Sequence, residues 1–506
     1  MKRWLCCVFV AAAAFAQTKE IPLSALRDKI QGGWAGQMIG VSFGAPTEFR
    51  AKERINEDPL PKWTPERVSN SLGQDDLYVD MTFAKVLDDQ GLDATTGDFG
   101  AMFRDSKYHL WHANLAARRA LKRGVPATRS GTPEFNAHAN DIDFQIESDF
   151  IGLMAPGLPR SANDIAWRAG RVINYGDGIY GGMFVAGMYS AAFFESDPRK
   201  VVAAGLAAIP AKSPYGLLIK DVLAWNQQYP DDWKKVWHLI EEKWNKREPC
   251  PEGALKPFNI DAKLNGAYIA LGVLYGGKDF GKTIEIATRA GQDSDCNPAS
   301  AGGILGVMLG YQAIPDEWKG GIPAIAGKKF SFTEQTFQTI CESTEKQALA
   351  LIRKTGGRVE GDRVVIKTQA PKPAKLELWD DYGSPVERVA NSDPRWQWKG
   401  NWRLNKQTKV ADEKGAEASI EFQGNGFIVT GPYMPTGGTA DVYLDGKLVK
   451  RVDVYPDEDS YKSGDSVYHR FKLPNTKHAV RLVVRGEPYP GSRGAELGID
   501  DLVVFR

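Results

Sequence analysis

The chain has 506 residues, room for two or three domains that each bury a proper core. Its 64 basic and 63 acidic side chains leave a formal charge of +1, which excludes the one-signed surface of a nucleic-acid or anionic-membrane binder. Fourteen Trp and seventeen Tyr supply flat rings of the kind that face sugars, although such rings also fill cores.

The first residues read as a leader. Lys2 and Arg3 precede an apolar run over residues 5–15 that is too short for a bilayer span, and Ala14-Phe15-Ala16 fits a small-x-small cleavage site. The expected mature chain begins near Gln17 and is secreted or periplasmic. Removal of the leader takes Cys6 and Cys7 with it and leaves Cys250, Cys296 and Cys341, too few for a disulfide framework.

From about residue 21 to residue 353 the apolar spacing is helical. Ser24 is the expected cap of a first helix that carries Leu26, Ile30, Trp34 and Met38 on one face. Gly32, Gly33, Gly36 and Gly40 recur along it and predict close contact with another helix. Gly44-Ala45-Pro46-Thr47-Glu48 ends it. A second helix follows Asp76, and residues 180–194 and 264–275 read as buried helices. Asn297 as N-cap and Pro298 in the first turn open a nearly all-apolar helix whose positive end faces Asp293 and Asp295. A last helix spans about 333–354. A proline-bearing linker follows over 368–375. Beyond it the period drops to two, with strands near 418–422, 426–430, 440–444, 468–473, 479–484 and 499–505. An Asp445-Gly446 hairpin turn completes the pattern of a β-sandwich of about 130 residues. The expected organisation is a leader (1–16), an all-α catalytic domain (17–367), a linker (368–375) and an all-β sandwich (376–506), a candidate carbohydrate-binding module.

Two acidic clusters carry the chemistry: Gln74-Asp75-Asp76, and Gly291-Gln292-Asp293-Ser294-Asp295-Cys296-Asn297-Pro298. Paired carboxylates repel unless a cation or shared proton lies between them. Two such pairs brought together make an oxygen-rich site for Mg²⁺, Mn²⁺ or Ca²⁺. Each pair by itself also reads as helix capping.

These motifs resemble the ADP-ribosylglycohydrolase superfamily over about residues 25–315. The turn at Gly44-Ala45-Pro46-Thr47-Glu48 matches its first motif. Gln74-Asp75-Asp76-Leu77 stands where the family has Thr/Ser-Asp-Asp-Thr, and residues 291–297 match its Gly-Gly-Asp-Thr-Asp-Thr-Asn. The resemblance implies a compact all-α domain that hydrolyses a ribosyl bond. It also implies one or two divalent ions, usually Mg²⁺, held by the positions of Gln74, Asp75, Asp76, Asp293, Asp295 and Cys296. Glu48 is the implied base. The departures are Val41, Gln74, Leu77 and Cys296, whose thiolate suits Mg²⁺ poorly.

The middle of the domain departs further. The family's phosphate-cradling glycine loop is replaced by a segment bearing Asp141, Asp143, Glu147 and Asp149. Acids there repel a phosphate and accept hydrogen bonds from neutral sugars. Glu147 and Asp149 are further acid/base candidates, and Asp141 and Asp143 candidate sugar-hydroxyl acceptors. Asn174, Tyr175 and Asp177 form a candidate cleft loop. In the sandwich, Trp396, Trp398 and Trp402 are candidate sugar-stacking rings. The expected activity is metal-dependent glycosidic hydrolysis, more on a carbohydrate than on an ADP-ribosylated substrate. The alternatives are a true ADP-ribosyl-protein hydrolase and a non-catalytic carbohydrate binder on the same scaffold.

Overall fold

The computed structural model describes residues 17–245, 248–258 and 260–506. The expected leader lies outside the described residues. The helical half is built on one seam, where helices Leu23–Gly44 and Cys296–Leu309 meet backbone to backbone. A Cβ at Gly36 would lie 2.1 Å from the Gly302 carbonyl oxygen, and one at Gly40 2.0 Å from that of Pro298. The glycines are therefore the condition of the contact, and not a tolerated weakness in the helix. Cys296–Leu309 is buried along almost its whole length, as an all-apolar helix must be. Around this pair lie Asp75–Gln90, Asp177–Ala192, Ala262–Gly276 and Phe337–Lys354, the last capped by Thr336.

Several boundaries differ from the sequence expectation, each for a local reason. Leu23–Gly44 starts directly after Pro22, and Ser24 lies inside it without capping. Strand Thr18–Pro22 feeds the helix and pairs with Arg363–Lys367, while the Leu23 amide donates to the Asp362 carbonyl. This small sheet, completed by Arg358–Glu360, is an addition to the expected all-α domain. The second acidic cluster turns helical earlier than Asn297, because Asp295 already has helical dihedrals. Asn297 donates instead to Asn265 Oδ1 at 2.8 Å and braces the preceding loop. Helices Thr96–Asp105, His112–Lys122 and Pro159–Gly170 were not anticipated from periodicity. Among the described residues no helix is long and apolar enough to cross a membrane.

Residues 368–378 have no regular structure and run over the helical half, where Asn163 donates to the Lys372 carbonyl and the Tyr180 hydroxyl to that of Lys375. The remainder is an antiparallel sandwich of two main sheets, with a small third sheet of Leu497–Ile499, Thr408–Ala411 and Arg403–Asn405. One sheet orders Lys447–Asp453, Gly438–Leu444, Thr476–Pro488, Glu417–Gly424 and Gln397–Lys399; the other orders Lys462–Arg470, Gly426–Tyr433, Asp501–Phe505 and Pro385–Ala390. Asp445 and Gly446 both have positive φ, 49° and 78°, as a tight hairpin turn of this twist requires.

The sandwich is docked firmly. Arg118, Arg119 and Arg123 of helix His112–Lys122 and its cap reach Glu458, Asp453 and Asp457 at 2.6–2.9 Å. Arg388 donates to the Ala254 and Pro251 carbonyls, and Lys462 sits 3.8 Å from the centre of the Trp111 ring.

Candidate active site

The seam brings the two acidic clusters together. Asp75 and Asp76 open their helix behind Gln74, which is extended. Opposite them, Gly291 and Gln292 take left-handed dihedrals, φ 84° and 57°, and a Cβ at Gly291 would lie 2.5 Å from the Ala51 carbonyl oxygen. The loop is stitched to the turn at residues 44–48. The Gln292 amide donates to Ala51 O at 2.7 Å, the Phe49 amide to Gln292 O at 3.3 Å, and the Thr47 and Ser294 hydroxyls stand 2.8 Å apart. In consequence Glu48, Asp293 and Asp295 each present a carboxylate oxygen within 4.8 Å of the others. Asp76, Asp295 and Cys296 form a second such group, with Asp295 common to both. Gln74 belongs to neither; its side-chain amide donates to Asn70 Oδ1 at 2.8 Å.

Electrostatically this is an unbalanced site. Burial and the Asp295 and Asp75 charges raise Glu48 to about 8. Burial, Asp295 and Glu48 drive Asp293 well above the usual carboxylate range, and burial, Asp295 and Asp75 do the same to Asp76. Asp295 is raised to about 6, chiefly by burial. The buried oxygens Asp293 Oδ1 and Asp295 Oδ1 have no hydrogen-bond partner in the structure. Clustered, desolvated, unpartnered carboxylates are what a divalent cation compensates. The donor set fits such an ion: carboxylate oxygens from Glu48, Asp76, Asp293 and Asp295, with Asp75 adjacent. Cys296 fits least. Its thiol, buried among carboxylates that push its pKa far up, donates to Asp76 Oδ2 at 3.5 Å.

The acidic segment that replaces the glycine loop divides in depth. Asp143 accepts the Asn114 amide at 2.9 Å, and Glu147 accepts the Asn114 side chain. Both are pushed up by burial, and at Glu147 the Asp143 and Asp75 charges add to the rise. Asp143 Oδ2 and Glu147 Oε2 remain unpartnered. Asp149 is fully enclosed. It lies beside Asp80 with the Tyr189 and Ser300 hydroxyls nearby, and burial raises it to about 7. Asp141 is engaged by His138, its Oδ2 2.8 Å from Nδ1.

Asp80 was missed in the sequence, although its signal is there. It stands one turn after Asp76 on the same helix, where i and i+4 share a face. It is fully buried and accepts the Phe150 amide at 3.2 Å. His112 gave no pattern at all. It lies 3.1 Å from Glu252 and its charge acts on Asp75 and Asp143.

The remaining candidates lie elsewhere. Asn174 spends its side chain on the Phe144 amide and the Ala139 and Asp141 carbonyls, so it braces the loop. Tyr175 packs edge-on against Tyr382. Asp177 accepts the Tyr215 amide, is raised to about 7 by burial, and lines a cavity of about 290 Å³ with Lys263, Glu377 and Trp379. Trp396, Trp398 and Trp402 form one aromatic cluster, with centroids 5.3 and 4.9 Å apart. Trp396 is buried, while Trp398 and Trp402 are half-exposed.

The chain is strained at several points. Phe49, His112, Leu255 and Phe332 all have left-handed φ between 45° and 61°, a costly conformation for such side chains. Phe49, Trp111, Leu255 and Phe332 are exposed, and Phe332 packs edge-on against Tyr78 of the Asp75–Gln90 helix.

Comparison with known proteins bears on this arrangement. A curated protein of Flavonifractor plautii, A type blood alpha-D-galactosamine galactosaminidase, is 32% identical over 104 residues, 19% of this chain and 9% of that protein. The chain thus spans less than a tenth of that relative's length. The solved structure of an ADP-ribosylglycohydrolase-related protein complex is 17% identical, covering 64% of this chain and 99% of that one, with a TM-score of 0.40. The CBM36-1 domain of a multidomain xylanase from the hindgut metagenome of Trinervitermes trinervoides is 14% identical, covering 23% of this chain and 94% of that one, with a TM-score of 0.18. The family model for ADP-ribosylglycohydrolase matches residues 22–354, a span that contains both acidic clusters, the turn at residues 44–48 and the glycine seam that joins them. The chain belongs to the ADP-ribosylglycohydrolase family.

Proposed function

We propose that the protein is an exported, metal-dependent hydrolase of a glycosidic bond, and that its substrate is a carbohydrate. The observation that carries this reading is the convergence of Glu48 with the buried carboxylates of Asp76, Asp293 and Asp295 into two overlapping groups. A bound Mg²⁺ would supply positive charge that acidifies a water and fixes sugar hydroxyls; Mn²⁺ or Ca²⁺ suits the same oxygens. Asp76, Asp293 and Asp295 would hold the cation. Glu48 is the least buried of the set, and with the repulsion from Asp295 and Asp75 relieved it becomes a base that takes a proton on its carboxylate. Glu147 and Asp143, with one free oxygen each, accept sugar hydroxyls. Asp149, enclosed against Asp80, is a positioning residue in this scheme.

The preference for a carbohydrate over an ADP-ribosyl protein rests on charge. Asp143 and Glu147 occupy the segment where a phosphate cradle is expected, and they disfavour an anionic substrate. The exposed rings of Phe49 and Phe332 suit the apolar face of a sugar. The local likeness to a galactosaminidase supports the same side. Family membership favours the second reading, an ADP-ribosyl-protein hydrolase.

The deciding experiment offers ADP-ribosyl-arginine, an ADP-ribosyl-serine peptide, and a panel of aryl glycosides and oligosaccharides, with Mg²⁺ or with EDTA. The expected result is release from a glycoside only, lost with EDTA and in Asp293→Asn. Release of ADP-ribose alone would overturn the carbohydrate assignment. Turnover that is indifferent to EDTA would overturn the metal.

A further inference from the structure

We infer that His138, Asp141 and Cys250 form a second metal site, for Zn²⁺, at the joint between the helical half and the sandwich. It shares no residue with the acidic cleft. One ligand atom from each of the three lies within 4.8 Å of the other two. All three residues are at most 2% exposed. One thiolate, one imidazole and one carboxylate make a mixed donor set that suits Zn²⁺ and is a poor match for Mg²⁺.

The local chain holds these groups in place. The Asp141 amide donates to the His138 carbonyl at 2.9 Å, so the two side chains project from one turn. The Ile142 amide donates to Ile260 O, which ties that turn to the segment after Cys250. The Gly253 amide donates to Cys250 Sγ at 3.2 Å and fixes the thiol. One polar atom of the group, Asp141 Oδ1, is buried without a hydrogen-bond partner in the structure. Glu248, whose carboxylate accepts no hydrogen bond and faces Lys263 Nζ at 4.0 Å, lies beside Cys250.

A separate observation comes from the other domain. Asp465 of strand Lys462–Arg470 faces His138 Nε2 at 3.5 Å, and is itself buried. With Nδ1 turned to the Asp141 side, Nε2–H points at a carboxylate. That is how a metal-bound histidine is usually oriented by its surroundings. The ion would therefore clamp Asp465 of the sandwich to the turn that leads into Asp143 and the cleft. Without the ion, the same groups form a protonated histidine between two aspartates.

Cobalt substitution of the full-length protein tests this. Co²⁺ bound at this site gives a thiolate-to-cobalt charge-transfer band, and of the three buried cysteines among the described residues only Cys250 and Cys296 lie in a group that could hold a metal. The expected band is present in wild type and in Cys296→Ser, and absent in Cys250→Ser and His138→Gln. Zinc content should fall from one ion per chain to none in the last two. Asp465→Asn should retain the ion with 10- to 100-fold weaker affinity. A band lost in Cys296→Ser and kept in Cys250→Ser would place the ion in the cleft and overturn the site. So would a wild-type protein that gives no band and retains no zinc. Circular dichroism of each variant separates loss of metal from loss of fold, and the wild-type spectrum decides the matter even if Cys250→Ser does not fold.

Discussion

Two of the places where the molecule buries acids treat them oppositely. At the domain joint Asp453 is met by Arg119 and Arg123, and Asp457 by Arg123, so that Asp453 is held down at about 2. In the cleft, Glu48, Asp76, Asp293 and Asp295 are perturbed mainly by burial and by one another, and all are pushed upward. Burial alone therefore does not mark a functional acid. An acid with a guanidinium against it holds two domains together; an acid with only other acids around it is set for a cation or a proton.

The largest expected effect falls on the joint. Asp453→Ala leaves Arg119 buried without its partner and should cost about 3–5 kcal/mol, read from denaturant unfolding. The corresponding loss in the cleft should be of the opposite kind. Asp293→Asn removes repulsion, so the cation-free protein should be no less stable than wild type. The cation's stabilisation, about 2.7 kcal/mol at a hundred times its Kd, should vanish from a thermal-shift titration. Gly36→Ala drives a methyl into the Gly302 carbonyl, 2.1 Å away. It should cost about 1–3 kcal/mol and weaken cation binding by moving Glu48 relative to Asp295, with the joint untouched.

The pH dependence sharpens the same contrast. In EDTA the cleft carboxyls bind protons more tightly folded than unfolded. Stability is then fully present below the ordinary carboxyl range and is lost as pH rises towards the folded values of about 6 for Asp295 and about 8 for Glu48. The slope should be about 1.4 kcal/mol per pH unit for each group that titrates, and saturating cation should flatten it. Asp453 has the other sign. Its contribution is present above the ordinary carboxyl range and is lost as pH falls towards about 2. Stability curves from pH 3 to 9, with and without cation, check both arms.

Much of this architecture was legible in the chain. The glycines at 32, 33, 36 and 40 announced a close helix contact because only glycine lets two backbones meet. Asp445-Gly446 announced a hairpin because its dihedrals demand such residues. The two acidic clusters announced themselves by spacing. Asp80 was visible one turn from Asp76 and went unread, since a lone acid on a helix looks the same whether it faces solvent or core. The cap at Ser24 failed because a strand pairing across more than three hundred residues sets where that helix begins.

By itself the sequence determined the local matters: the strongly periodic helices and strands, where the period changes from 3.6 to two, and which short motifs carry acids. Those follow from dihedral preferences and side-chain spacing within a few residues. The tertiary structure alone decided which acids are paired. Nothing near Asp453 in the chain predicts Arg119, and nothing near His138 predicts Cys250 or Asp465. The charge state of a buried group is set by whatever lies within a few ångströms of it, and in this fold those neighbours come from segments a hundred to three hundred residues away.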